Sequence, residues 1–434
     1  MLQIPKVLLS DEFRNELRED IDFSSITHKT KKIKQRKITD AMTQLLINTC
    51  DKWEHHKDYP LWNVVKLTRH YQKQIDNNNF QPFQEALTEN NFVINHSYRP
   101  PTNQLGGITK SVLIPEDKIR MTIDYLASTT YESVVLNDEI FINWNNPFYF
   151  GENATPTSVR INTSALHTFC KSVKDVSSDL HRKWNLQLRL SVAQENDGWL
   201  KQNYRVSDFG RLVGTGLSSL QTMPKTLLKE ILNGCYEIDV NASSMSLLPT
   251  IYKRVVGKPL TFPSTENYVR NREVIRDAVS LSLGVDLEMV KQAFTAIGFG
   301  LRRNVKGYKD VDGNYIIPTL TEIFGSQKIA KTFVEHPQVE QLWIEVSEIF
   351  SGLSKETKSS LPELKPSQRV SYLYQHSEAE MLKVMMKYVG KSLVIPKHDA
   401  VVVNSPLTIG QLGLLKDKIY KSTGFNVSLS QRLV

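Results

Sequence analysis

Cysteine is scarce: Cys50, Cys170 and Cys235 are the three in 434 residues, and their spacing offers neither a CxxC zinc ribbon nor a disulfide framework. Long apolar runs are missing too. None reaches the ~18 residues a membrane-spanning helix needs, and the opening stretch MLQIPKVLLSDEF lacks the basic start and long apolar segment of a secretory leader. No internal repeat and no low-complexity tract is visible. Secreted, membrane-spanning, collagen-like and zinc-ribbon classes are excluded on these grounds, and a cytoplasmic protein with no membrane partner is expected. What is there is an ordinary globular balance, 40% hydrophobic and 23% charged with a net charge of +8, enough for a sizeable core in two or three domains. That basic excess is mild and points to a polyanion only where it clusters. One cluster exists: residues 28–37 hold six Lys or Arg and no acid, which suits either a solvated face or arm, or a phosphate-contacting segment.

Apolar spacing of three to four predicts a mainly helical stretch over 10–95. Residues 96–165 are richer in Pro, Gly, Asn and short β-branched runs and read as loops and short strands at a subdomain joint, and helical spacing returns over 163–183. From Cys235 the chain alternates: a strand CYEIDV, helices over 242–255, 265–283 and 286–300, and further helix to 350. A polar linker from Ser354 to Pro366, a helix over 367–388, the hairpin SLVIPKHDAVVVNS, a last helix and a terminal strand follow. The expected fold class is α+β (α/β).

Two short apolar strands each bear an aspartate, Asp239 and Asp399. A carboxylate in an apolar strand is costly unless a cation compensates it. Side by side, two such carboxylates make a seat for a pair of Mg²⁺ ions, which clamp the attacking and leaving oxygens of phosphoryl transfer. Either aspartate alone is more readily a turn cap. In 284–300 the residues Lys291, Thr295 and Phe299 recur every fourth position and stack on one helix face, ended by Gly300. A lysine there offers a cation to a triphosphate and the aromatic ring offers a surface to a base or sugar. The bland alternative is a surface lysine beside a core phenylalanine.

Taken in order, these residues resemble the family A nucleic-acid polymerases, and within them the single-subunit RNA polymerases of phages and mitochondria. Ser207-Asp208-Phe209-Gly210-Arg211 is similar to the family's (T/D)xxGR motif, with serine in first place. Asp239-Val-Asn-Ala-Ser-Ser is similar to motif A, Lys291 through Phe299-Gly300 to motif B, and His398-Asp399 to the His-Asp pair of motif C. The resemblance spans Ser207 to Asp399 and departs in two places. Leu287 stands where relatives carry an arginine, leaving Arg276, Arg302 and Arg303 as candidate replacements. Phe299 replaces the usual tyrosine.

The resemblance implies a right-hand polymerase: a helical N-terminal part over 1–95, a thumb-like joint over 96–189, a palm over 190–262 and 350–434, and fingers over 263–349. It implies two Mg²⁺ ions held by Asp239, Asp399 and the backbone carbonyl of Val240, with Lys291 on the triphosphate. Arg211 would contact the template or primer backbone, Phe299 would stack at the templating base, and His398 would brace the primer terminus. Ser244 lies five residues after Asp239, where DNA-synthesising relatives place a glutamate against the 2′-OH. Together with the His376-Ser377 pair, similar to a ribose-facing segment of the phage enzymes, it favours ribonucleotides. The implied partners are a DNA template, an RNA product and nucleoside triphosphates. Relatives of phage type are roughly twice as long, so a second polymerase subunit or a single-strand-binding recruiter is expected, in bacterial host cytoplasm if the chain is phage-encoded. Two other readings compete: a family A DNA polymerase or primase, and a nucleic-acid-binding factor with a degenerate core. An HD-type metal phosphohydrolase would need further ligand histidines that the spacing does not supply.

Overall fold

The computed structural model describes residues 158–174, 180–216, 218–257, 260–309 and 315–434, together with residue 12 and short elements at 62–63, 94–99, 108–113, 116–128, 142–143, 149–150 and 153–154. The basic cluster at 28–37 and most of the expected helical stretch over 10–95 lie outside the described residues. The described chain is mixed helix and strand with helix predominating, an α+β arrangement. No helix among the described residues is long and apolar enough to cross a membrane.

Two compact units divide the chain. The first holds residues up to 147, 156–203 and 214–233; the second holds 148–155, 204–213 and 234–434. This division runs differently from the segment boundaries expected from sequence, since 190–203 and 214–233 join the first unit and 263–349 shares one unit with 350–434.

In the first unit, α1 (Glu116–Ser128) and α2 (Thr163–Ser172) both pack on α3 (Leu180–Glu195). α3 continues well beyond the helical stretch its spacing suggests. Its alternating Leu186, Leu188 and Leu190 imitate a strand, but Trp184, Arg189 and Val192 are buried as well, so the helix is enclosed nearly all round. Asn162 caps α2 by accepting from the Ala165 N–H at 2.9 Å.

The second unit is built on a four-stranded antiparallel sheet. β1 (Tyr236–Val240) lies between β3 (Ala400–Val403) and β4 (Leu429–Leu433), and β2 (Leu393–Pro396) flanks β3. β2 and β3 are buried throughout, which their unbroken LVIP and AVVV runs anticipate. α4 (Ser243–Val256) follows β1 directly, and α10 (Pro366–Val389) packs on both α4 and the β2–β3 hairpin.

Between them runs a helical layer: α5 (Pro263–Leu283), α6 (Leu287–Gly298), α7 (Thr319–Phe324), α8 (Gln327–Glu335) and α9 (Pro337–Glu356). It closes over one core of Tyr268, Phe294, Phe333 and Trp343, in which Tyr268 stacks on Phe294 at 4.6 Å. Gly284 ends α5 in the left-handed region, and Asp286 caps α6 by accepting from the Glu288 N–H at 2.7 Å. The helix α9 extends to Glu356 and so takes in the start of the expected polar linker.

Candidate active site

Antiparallel pairing of β1 with β3 sets Asp239 opposite Ala400. The Val240 N–H donates to the Asp399 carbonyl at 3.1 Å, and the Lys397 N–H closes the intervening turn on the Ala400 carbonyl at 2.8 Å. The pairing and this bond, one residue along each chain, therefore set the two aspartates side by side at the end of the sheet. Val240 itself faces Leu429 of β4. Burial pushes the Asp239 carboxyl up to about 6, helped by the charges of Asp399 and Glu237 and opposed by Arg432 and Arg272. Arg432 approaches Asp239 no closer than 3.9 Å.

Glu237, two residues upstream on the same strand, behaves oppositely. Burial alone would raise it, but Lys397 at 2.5 Å and Arg432 Nε at 2.8 Å hold its carboxyl below the usual range. Three acids thus share one strand end, and two cations are spent on the one that is not in a motif.

A run of polar contacts leads away from Asp399, with a hydrogen bond at each end and two hydroxyl oxygens meeting in the middle. Ser243 Oγ donates to Asp399 Oδ2 at 2.6 Å and lies 2.9 Å from the Tyr374 hydroxyl. Tyr374 donates to Glu378 Oε1 at 2.5 Å, and Arg211 Nε donates to Glu378 Oε2 at 2.8 Å. Glu378 is buried, with a side chain 2% exposed. Desolvation raises its carboxyl, against the lowering effect of Arg211 and the Tyr374 bond. Ala242, in the left-handed region at φ +47°, turns the chain from β1 into α4 and so delivers Ser243 to this run.

The remaining motif residues are distributed as follows. Lys291 stands at the surface, 3.4 Å from Glu288. Phe299 caps α6, 55% exposed, with its ring edge-on to Tyr374 at 5.5 Å. Gly300 adopts φ +76°, and a Cβ there would run into the Phe350 ring. Ser244 is buried, and its hydroxyl fills the space that a Cβ on Gly298 would take. The turn Ser207–Arg211 is held by the Ser207 N–H to the Arg211 carbonyl at 2.8 Å, and its Gly210 lies under exposed His376. His398 is driven toward its neutral form by burial and by Arg211, against Asp399, and its buried Nδ1 has no hydrogen-bond partner.

Among the candidates for the arginine absent at Leu287, Arg303 is engaged by Glu340 at 2.7 Å and Arg276 by the Tyr268 hydroxyl at 2.8 Å. Arg272, which the sequence reading passed over, bonds Asn241 Oδ1 at 2.6 Å just after β1 and bears electrostatically on Asp239. Glu237, Ser243, Tyr374, Glu378 and Arg432 were likewise not anticipated. The one signal for Tyr374 and Glu378 was their four-residue spacing astride His376, which alone reads as an ordinary helix pair.

Among the described residues no group of three or more His, Cys, Asp and Glu is arranged to hold a metal. Two adjacent carboxylates nonetheless fit Mg²⁺, which takes one or two acids from protein and completes its shell with water and substrate phosphates. The raised Asp239 carboxyl marks a place where a positive charge would be welcome. No protein-family model matches the chain, and no curated protein matches it.

Proposed function

We propose that the chain is a template-directed nucleotidyltransferase, a DNA-dependent RNA polymerase of reduced form that adds ribonucleotides to a 3′-OH. The observation that supports it best is the pair Asp239, on β1, and Asp399, in the turn just before β3, brought together by strand pairing and the Val240 N–H bond to Asp399 and, among the described residues, without an ion pair closer than 3.9 Å. The four-stranded sheet with α4 and α10 serves as the palm in this reading, and the helical layer 263–349 as the fingers.

Asp239, Asp399 and the Val240 carbonyl would hold two Mg²⁺ ions. Bound there, the ions make the 3′-OH more acidic and offset charge on the triphosphate during transfer. Lys291, paired only loosely with the exposed Glu288 at 3.4 Å, is available to the triphosphate. Phe299 offers an exposed ring at the end of α6 for stacking by a base. His398, pushed toward its neutral form by burial and by Arg211, lies next to Asp399. DNA template, RNA product and a second subunit or recruiter are the partners of this reading.

A second reading, DNA synthesis or priming, draws on two observations. Phe299 has no hydroxyl for a sugar, and the Ser244 hydroxyl is turned against Gly298. Ribose selection then rests on room and on His376. Primer extension on single-stranded DNA with Mg²⁺, with rNTPs and dNTPs in parallel lanes, separates the two. Extension chiefly with rNTPs is expected. Extension chiefly with dNTPs favours the second reading, and no extension by the chain with host or phage factors added overturns both.

A further inference from the structure

Asp399 sits in a tight turn, and the terminal torsion of an aspartate is broad, so the turn alone does not fix where its oxygens point. Ser243 does so by donating to Oδ2 at 2.6 Å. Ser243 in turn touches the Tyr374 hydroxyl at 2.9 Å, and that hydroxyl is held by Glu378 at 2.5 Å. Burying Glu378 is expensive unless it is paired, and Arg211 supplies the pair from a turn far upstream in sequence. As a device for stability this is poor, because apolar side chains of similar volume serve at least as well. The same tyrosine ring supports Phe299 edge-on at 5.5 Å. One residue thus braces both an acid of the pair and the exposed aromatic.

We infer that Ser243, Tyr374 and Glu378 are positioning residues for Asp399. They hold Oδ2 in place, so that Oδ1 is presented to a divalent cation shared with Asp239, and Arg211 is the neutralising end of the run rather than a nucleic-acid contact. The identity of the reaction rests on the nucleotidyl-transfer reading; the placing of Asp399 for a cation does not.

Mn²⁺ binding to the full chain without nucleic acid tests it, measured by calorimetry on the wild type, Tyr374→Phe, Ser243→Ala and their double variant. Tyr388→Phe removes an equivalent hydroxyl from the same helix, one that bonds the Gln411 carbonyl instead, and is the control. Each single change in the run weakens Mn²⁺ binding by about tenfold. The double variant is no weaker than the worse single one, because the run acts as a unit. Tyr388→Phe binds as wild type. In primer extension Tyr374→Phe lowers kcat and leaves the KM for nucleotide unchanged. Wild-type Mn²⁺ affinity in Tyr374→Phe, or effects that multiply in the double variant, overturn the inference while leaving extension by the wild type intact. A wild type that binds Mn²⁺ with these variant effects but extends no primer leaves the inference standing and removes the polymerase reading. A wild type that binds no Mn²⁺ removes both.

Discussion

Asp239 and Glu237 lie two residues apart on one strand and respond to acid in opposite senses. The Asp239 carboxyl is pushed up to about 6 by burial and by its acidic neighbours. Its proton is held more tightly in the folded chain than in the unfolded one. Its contribution to the metal-free fold is therefore greatest in acid and is lost as pH rises through about 6. Glu237, held down by Lys397 and Arg432, contributes above the ordinary carboxylate range and loses that contribution as pH falls through its lowered value. Asp239→Asn is accordingly expected to stabilise the metal-free chain at neutral pH, by about 1–3 kcal/mol, visible as a rise in Tm. A fall in Tm would contradict the repulsion assigned to the pair. A second expectation concerns Mg²⁺ itself. Thermal melts at pH 8 and pH 5 are expected to show a larger Mg²⁺-dependent rise at the higher pH, where no proton competes for Asp239, and none in the Asp239→Asn, Asp399→Asn double variant.

The contacts of α6 with its neighbours leave no spare room. Gly300 combines φ +76° with the Phe350 ring where a Cβ would be. Gly300→Ala is expected to cost about 2–4 kcal/mol in denaturant unfolding, from backbone strain and overpacking together. Two residues earlier, at the last position of α6, a Cβ on Gly298 would run into the Ser244 hydroxyl. This bears on sugar selection. The resemblance implies that a glutamate at 244 would close the ribose pocket, but a longer side chain at this buried position would have to displace α6 from α4. Ser244→Glu is expected to lose the cooperative unfolding transition, or to lower Tm sharply, rather than to convert ribose preference into deoxyribose preference. A folded Ser244→Glu chain with wild-type Tm would show that the pocket opens the other way.

Elements with strong local signals were legible: the apolar runs of β2 and β3, and the helices over 265–283 and 286–300, which the structure has as α5 and α6. The neighbouring positions of Asp239 and Asp399 also followed, because two apolar strands each carrying one acid have few ways to pair. The Arg211–Glu378–Tyr374–Ser243 run did not follow. Its members are scattered from 211 to 378, and burial of a glutamate leaves no mark on spacing. α3 was under-read because leucines two apart mimic a strand when a helix is buried on every side.

At the scale of the molecule, the motif residues from Ser207 to Asp399 all fall in the second compact unit, although 214–233 between them belongs to the first. That unit contains the acid pair, the lysine, the exposed phenylalanine and the bracing run, so the chemistry proposed for the chain resides in one body. Asp399 is its focal residue, bonded through its backbone to Val240 and through its side chain to Ser243. Single-nucleotide addition to a labelled primer on a single-stranded DNA template, comparing wild type with Asp399→Asn, is the most direct test. The wild type is expected to add one templated ribonucleotide in a Mg²⁺-dependent step. Asp399→Asn is expected to add none while binding primer–template with unchanged affinity. Addition by Asp399→Asn at the wild-type rate would contradict the assignment of this acid pair as the reaction centre.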